Sequence, residues 1–146
     1  MKRLFFVACL GIASLAAQAR DITKISYKAR QTFKDEYGIT KNPVWKKVNA
    51  EMAKAIFENN GKETTVFISN DGELLATTIA LQISDLPSKL KNAVQEIAAG
   101  SDIKELFYLE NDSEKAYYFS VEKAGVKKVY RGAANGKIED VSNKVG

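Results

Sequence analysis

Apolar positions change their spacing along the chain, and the changes mark its elements. Ile22, Ile25, Ala29, Phe33 and Tyr37 recur at steps of three and four, the period of one helical stripe. Asp21 is placed to cap that helix and Gly38 to end it. Asn42-Pro43 then breaks the chain, and β-rich segments of period two follow, predicting strands over 44–48, 53–58, 63–69 and 74–83. Between them, Asn59-Asn60-Gly61 and Asn70-Asp71-Gly72 supply residues that tolerate positive φ, so the four strands read as an antiparallel meander with tight turns, the second of type I′.

The pattern then starts again. Asp85 and Pro87 open a second helix whose Leu90, Val94 and Ile97 share one face and which Gly100 stops. Strands are expected over 103–109, 116–121, 126–131 and, more weakly, 137–141, where Asn135-Gly136 is another hairpin signal. Laid over each other the halves look like copies: Ile25 and Ala29 match Leu90 and Val94 at a shift of 65, Lys54–Phe57 match Lys115–Tyr118 at 61, and Gly61 and Gly72 match Gly125 and Gly136 at 64. The expected fold is α+β, with two tandem half repeats, about 21–83 and 85–142, each a helix plus an antiparallel sheet, packed into one two-layer domain.

The N-terminus changes the picture of where the chain works. Lys2 and Arg3, the apolar run Leu4–Ala17 and the small-residue site Ala17-Gln18-Ala19 follow one another as the three parts of a secretory leader. The run is shorter than the roughly 18 residues a membrane span needs, so residues 1–19 read as a cleaved signal peptide and 20–146 as a periplasmic or secreted domain with no stable membrane anchor. Cys9 is the only cysteine and falls inside the apolar run. Phe6-Val7-Ala8-Cys9 could be taken for a lipid-attachment box, but too few residues separate Cys9 from Arg3 for a normal leader core. No disulfide is expected in the exported form.

Composition narrows the chemistry. The 146 residues include no histidine, which removes Ser-His-Asp and Cys-His relays, His-ligated zinc and imidazole acid/base catalysis. Lys2 and Arg3 account for half of the net charge of +4, and acids and bases alternate elsewhere, so no basic stripe for nucleic acid is present. Asn70-Asp71-Gly72-Glu73 lacks the spacing of a calcium loop. Glu58, Glu63, Asp71, Glu105 and Glu110 are the acids a glycosidase-like pair could draw on, yet nothing in the sequence selects two of them, and Ser88-Lys89 and Ser101 stand in no dyad motif. The chain therefore reads as a non-enzymatic protein without metal or cofactor.

Aromatic residues suggest a surface. Trp45 opens the first strand and is expected to pack on the first helix, with an interface anchor as its other reading. In the second half, alternation puts Tyr117, Phe119 and Val121 on the core face and Ala116, Tyr118 and Ser120 on the other. Tyr118, joined by Tyr108 and Tyr130 and flanked by Lys128, is expected to form an exposed partner-binding patch on a sheet face left open by the helices.

The order helix, Asn42-Pro43-Val44-Trp45, Phe57-Glu58-Asn59-Asn60-Gly61, Phe67 to Leu75 (FISNDGELL), then Ile83-Ser84-Asp85-Leu86-Pro87 opening a helix, resembles the PepSY-like, beta-lactamase-inhibitor-like periplasmic domains of Bacteroidota over nearly the whole exported chain. The second half departs from that pattern, with Ala133-Ala134-Asn135-Gly136 where an acidic turn is usual. The resemblance implies a small exported α+β protein that binds a partner protein of the envelope or exterior, as an inhibitor or accessory module. The alternative is a cell-envelope structural protein that self-associates through its sheet.

Overall fold

The computed structural model describes residues 24–144. The leader, Asp21 and Ile22 lie outside the described residues. Two helices and eight antiparallel strands make an α+β fold that divides into two compact units, one running to Ile79 and including Glu110–Asp112, the other made of Ala80–Leu109 and the chain from Ser113 onward.

In the first unit, helix α1 spans Tyr27–Tyr37 and strands β1 to β4 span Val44–Lys47, Met52–Asn59, Lys62–Ser69 and Leu74–Ala80. Ser26 is the N-cap: its hydroxyl accepts the Ala29 N–H at 3.0 Å and donates to the Asn70 carbonyl at 2.7 Å, tying the helix start to a strand turn. Gly38 ends the helix at φ +89 with its N–H on the Lys34 carbonyl. Ile25, Ala29 and Phe33 bury one stripe against Ala53, Ala55, Phe57, Val66 and Ile68, the alternate residues of β2 and β3. Burial of each large side chain there contributes about 1.5–3 kcal/mol. Trp45 packs edge-on against Phe33 at 5.7 Å, so its core role is the one realised.

The second unit contains α2 (Ser88–Ile97) and β5 to β8, which span Asp102–Asn111, Glu114–Lys123, Val126–Gly132 and Ile138–Asp140, except for Glu110 and Asn111 at the end of β5. Pro87 stands at the N-cap, and Asp85 instead holds a short 3-10 turn by accepting the Gln82 N–H at 2.8 Å. Leu86, Leu90 and Val94 pack on Phe119 and Val121, with Tyr117, Tyr130 and Ile138 at the margin. Within each unit the strands lie in sequence order, each antiparallel to the next.

Each unit thus buries one helical stripe on alternate strand residues, Ile25, Ala29 and Phe33 on β2 and β3, and Leu86, Leu90 and Val94 on Phe119 and Val121 of β6. The second turn of the first unit is not the type I′ turn expected. Asn60-Gly61 and Ala124-Gly125 each place two consecutive residues at positive φ, the geometry of a two-residue type I′ hairpin, whereas in Asn70-Asp71-Gly72 only Gly72 does so and the β3–β4 register shifts beside it.

Candidate functional site

The four residues expected to form one patch divide between the two faces of the second unit's sheet. Counting outward from the Ala124-Gly125 turn, Phe119 stands opposite Tyr130 and Val121 opposite Lys128, so both β7 residues share the helix-bearing side. The Phe119 and Tyr130 rings stack at 5.1 Å. Tyr108 lies on that side too, its ring 5.1 Å from Tyr117. Only Lys128 is exposed there; Tyr108 and Tyr130 are half-buried.

Tyr118 takes the opposite face, as alternation requires, but it is 2% exposed and so is not the surface aromatic expected. It stacks on Phe107 at 5.7 Å and belongs to a small second core with Leu109, Ala116 and Val141. The correction has a simple reason. Period two tells which side of a sheet a residue takes and says nothing about whether that side is covered.

Around Tyr118 the helix-free face carries a set of charged groups held in place by neighbours. The Tyr118 hydroxyl donates to Glu114 Oε1 at 3.0 Å, and the Arg131 guanidinium pairs with the same oxygen. One strand over, Glu105 Oε2 accepts from the Ser120 hydroxyl at 3.0 Å and pairs with Lys127 Nζ at 2.9 Å. Each carboxylate thus joins one buried hydroxyl to one cation. Parity explains the gathering: Arg131 stands opposite Tyr118, Val129 opposite Ser120 and Lys127 opposite Glu122, so all point to one side. Burial, reinforced by the Glu114 charge, pushes the Tyr118 phenol up to about 12. The hydrogen bond it donates to Glu114 moves Arg131 further up, so it stays a cation at any accessible pH.

The arrangement can present charge and shape, with each carboxylate engaged by a hydroxyl and a cation. Arg131 and Lys127 side chains are 39% and 38% exposed, while their carboxylate partners are nearer to buried. Among the other acids considered, Glu58 and Glu63 stand directly opposite each other across β2 and β3 as exposed strand-end residues, not on facing walls of a cleft. Among the described residues no group of three or more metal-ligating side chains gathers, and no described helix is long and apolar enough to cross a membrane.

No protein-family model matches the chain, and no curated protein matches it significantly. Solved structures do. A BLIP-like protein from Bacteroides fragilis superposes with a TM-score of 0.65 at 21% identity, covering 81% of this chain and 87% of that one. The chain has the fold of the BLIP-like Bacteroides proteins. A DUF2874 family protein from Bacteroides ovatus aligns at TM-score 0.67 and 18% identity over 87% of this chain and 92% of its own. A proposed periplasmic protein from Bacteroides eggerthii aligns at 0.66 and 16%, covering 80% and 89%. The resemblance read from Trp45, from Asn70 to Leu75 and from Asp85 to Pro87 is therefore met in the BLIP-like fold.

Proposed function

We propose that the chain is an exported, non-enzymatic binding protein that engages a partner protein through the helix-free face of its second unit. The observation that carries this reading is the pair of cations, Arg131 and Lys127, each fixed by a carboxylate above the packed Tyr118 and Ser120. Charged side chains already held in one geometry lose little freedom on binding, and arginine is among the residues that dominate protein interfaces. The leader pattern at Lys2–Ala19 and the likeness in fold to a proposed periplasmic protein support export. Tyr108, Lys128 and Tyr130 leave this reading, because they stand on the helix side.

The narrower form, inhibition of a hydrolase by the bound protein, is supported by the likeness to a BLIP-like protein. The test is capture from an envelope extract by the wild type beside an Arg131→Ala, Lys127→Ala variant, followed by hydrolysis assays on whatever enzyme is retained. One protein held by the wild type and released by the variant is expected. Equal capture by both would remove this face from the reading.

A further inference from the structure

The outermost strands carry opposite charge. In the strand order, β1 and β8 each have a hydrogen-bonded neighbour on one side only among the described strands. β1 (Val44–Lys47) exposes Lys46 and Lys47, and β8 (Ile138–Asp140) exposes Glu139 and Asp140. Lys144 pairs with Glu139 and the Ser142 hydroxyl donates to Asp140 Oδ1 at 2.6 Å, and these contacts hold both acids below the usual carboxylate range and therefore ionised at neutral pH.

The backbone groups at both edges follow from the ladder. Val48 N–H donates to the Met52 carbonyl, so in the β1–β2 register Lys46 and Val44 also turn their backbone groups inward, and alternation leaves those of Trp45 and Lys47 pointing outward. Likewise Ala133 N–H donates to Lys137 and Val141 N–H to Val129, which makes Glu139 face inward and leaves Ile138 and Asp140 outward. Two outward residues therefore stand at each edge, two positions apart.

We propose that a second copy of this chain docks at these edges, β8 of one copy pairing antiparallel with β1 of the next. The register that uses all four outward residues sets Trp45 opposite Asp140, Lys47 opposite Ile138 and Lys46 opposite Glu139. It also keeps the faces matched. Trp45 and Ile138 both belong to helix-side cores, whereas Glu139 shares the side of its cross-strand partner Arg131, the helix-free one, as Lys46 does by alternation from Trp45. Pairing like edges fails on charge, since β1 on β1 brings Lys46 against Lys46 and β8 on β8 brings Glu139 against Glu139. Only the head-to-tail contact is complementary, and such a contact is heterologous. The Lys144 pair does not block it, because that pair is exposed and weak in water. The contact is made by edge backbone groups with Lys46 and Glu139, and uses neither Arg131 nor Lys127, so this inference does not rest on the partner-binding reading.

Sedimentation velocity over a concentration series, on the full chain expressed so that the host exports it, tests the contact. Four hydrogen bonds and one ion pair make a small interface, so the wild type should show a reversible rise in average mass with concentration, smaller at high salt. Lys46→Glu and Glu139→Lys, both surface changes checked for folding by circular dichroism, should each abolish the rise. An equimolar mixture of the two variants should restore it, as should both changes in one chain, and Lys144→Gln should keep it. A wild type that stays monomeric throughout, single variants that associate as it does, or a mixture no better than its components would each overturn the proposal.

Discussion

A Cβ added to Gly132 would stand 2.7 Å from Leu90 Cδ1, so the strand backbone of β7 and the fully buried leucine of α2 occupy adjoining space with no room for a methyl between them. The helix sits down on its sheet at this point because the strand offers no side chain. In the first unit the helical stripe carries the smaller Ala29, in one core with Ile68 of β3. Close packing admits a large residue on a small one or the reverse.

Gly132→Ala is therefore expected to destabilise the protein by about 1–3 kcal/mol through overpacking. The loss should shrink in a Leu90→Ala background, which is itself weaker but has the space. Urea unfolding of the wild type and the three variants of this double-mutant cycle measures the coupling; strictly additive losses would contradict the contact.

Tyr118 should give the protein an alkaline limit. Its phenol titrates at about 12 in the folded chain against 10.0 when unfolded, so between those values the unfolded state has lost a proton that the folded state keeps. The associated stability is complete below pH 10 and declines as pH rises toward about 12. Tyr118→Phe should lose about 1–2 kcal/mol at pH 8, from the bond to Glu114. It should also show a shallower decline above pH 10, read from denaturation midpoints at pH 8 and pH 11.

Much of this was legible in advance. All eight strands lie within a few residues of the stretches marked by period two, because their ends coincide with turn residues such as Asn60-Gly61 and Asn135-Gly136. The start of α1 was misplaced, since Ser26, one residue past the buried Ile25, supplies the capping oxygen. The site was partly readable as well. Counting outward from Gly125 already places Tyr130 opposite Phe119 and Arg131 opposite Tyr118, which separates the four proposed residues and brings Glu114, Tyr118 and Arg131 together. The burial of Tyr118 was out of reach, because it depends on packing in the second core with Leu109 and Val141, which alternation along β6 does not reveal.

Thr32 and Gly72 form a clasp between α1 and the β3–β4 turn. The Thr32 hydroxyl donates to the Gly72 carbonyl at 2.7 Å, and Gly72 sits at φ +89 with Thr32 Oγ1 3.0 Å from where a Cβ would be. Gly72→Ala meets both the backbone penalty and the hydroxyl, so a loss of about 1–2 kcal/mol is expected. Thr32→Val removes only the hydrogen bond and should cost about 1 kcal/mol. Thermal unfolding should rank them in that order.

Ala124 is the residue whose identity suits its place least. It holds φ +51 in the β6–β7 turn, whereas the β2–β3 turn has Asn60 at φ +52. Ala124→Asn and Ala124→Gly should each stabilise the protein, by up to about 1 kcal/mol, because both tolerate the left-handed region. A lower melting temperature for both would show that the turn does not limit stability.

The sequential order of the strands bears on how the protein is made. In each unit every strand's partner is its neighbour along the chain, and the helix packs on hairpins that follow directly. Strand pairing between chain neighbours favours fast folding, since each such closure joins segments a short loop apart. A chain emerging N-terminus first can complete α1 and β1–β3 while the second unit is still being delivered. Delivery from one end then becomes vectorial folding, with little time for an unpaired strand to find the wrong neighbour.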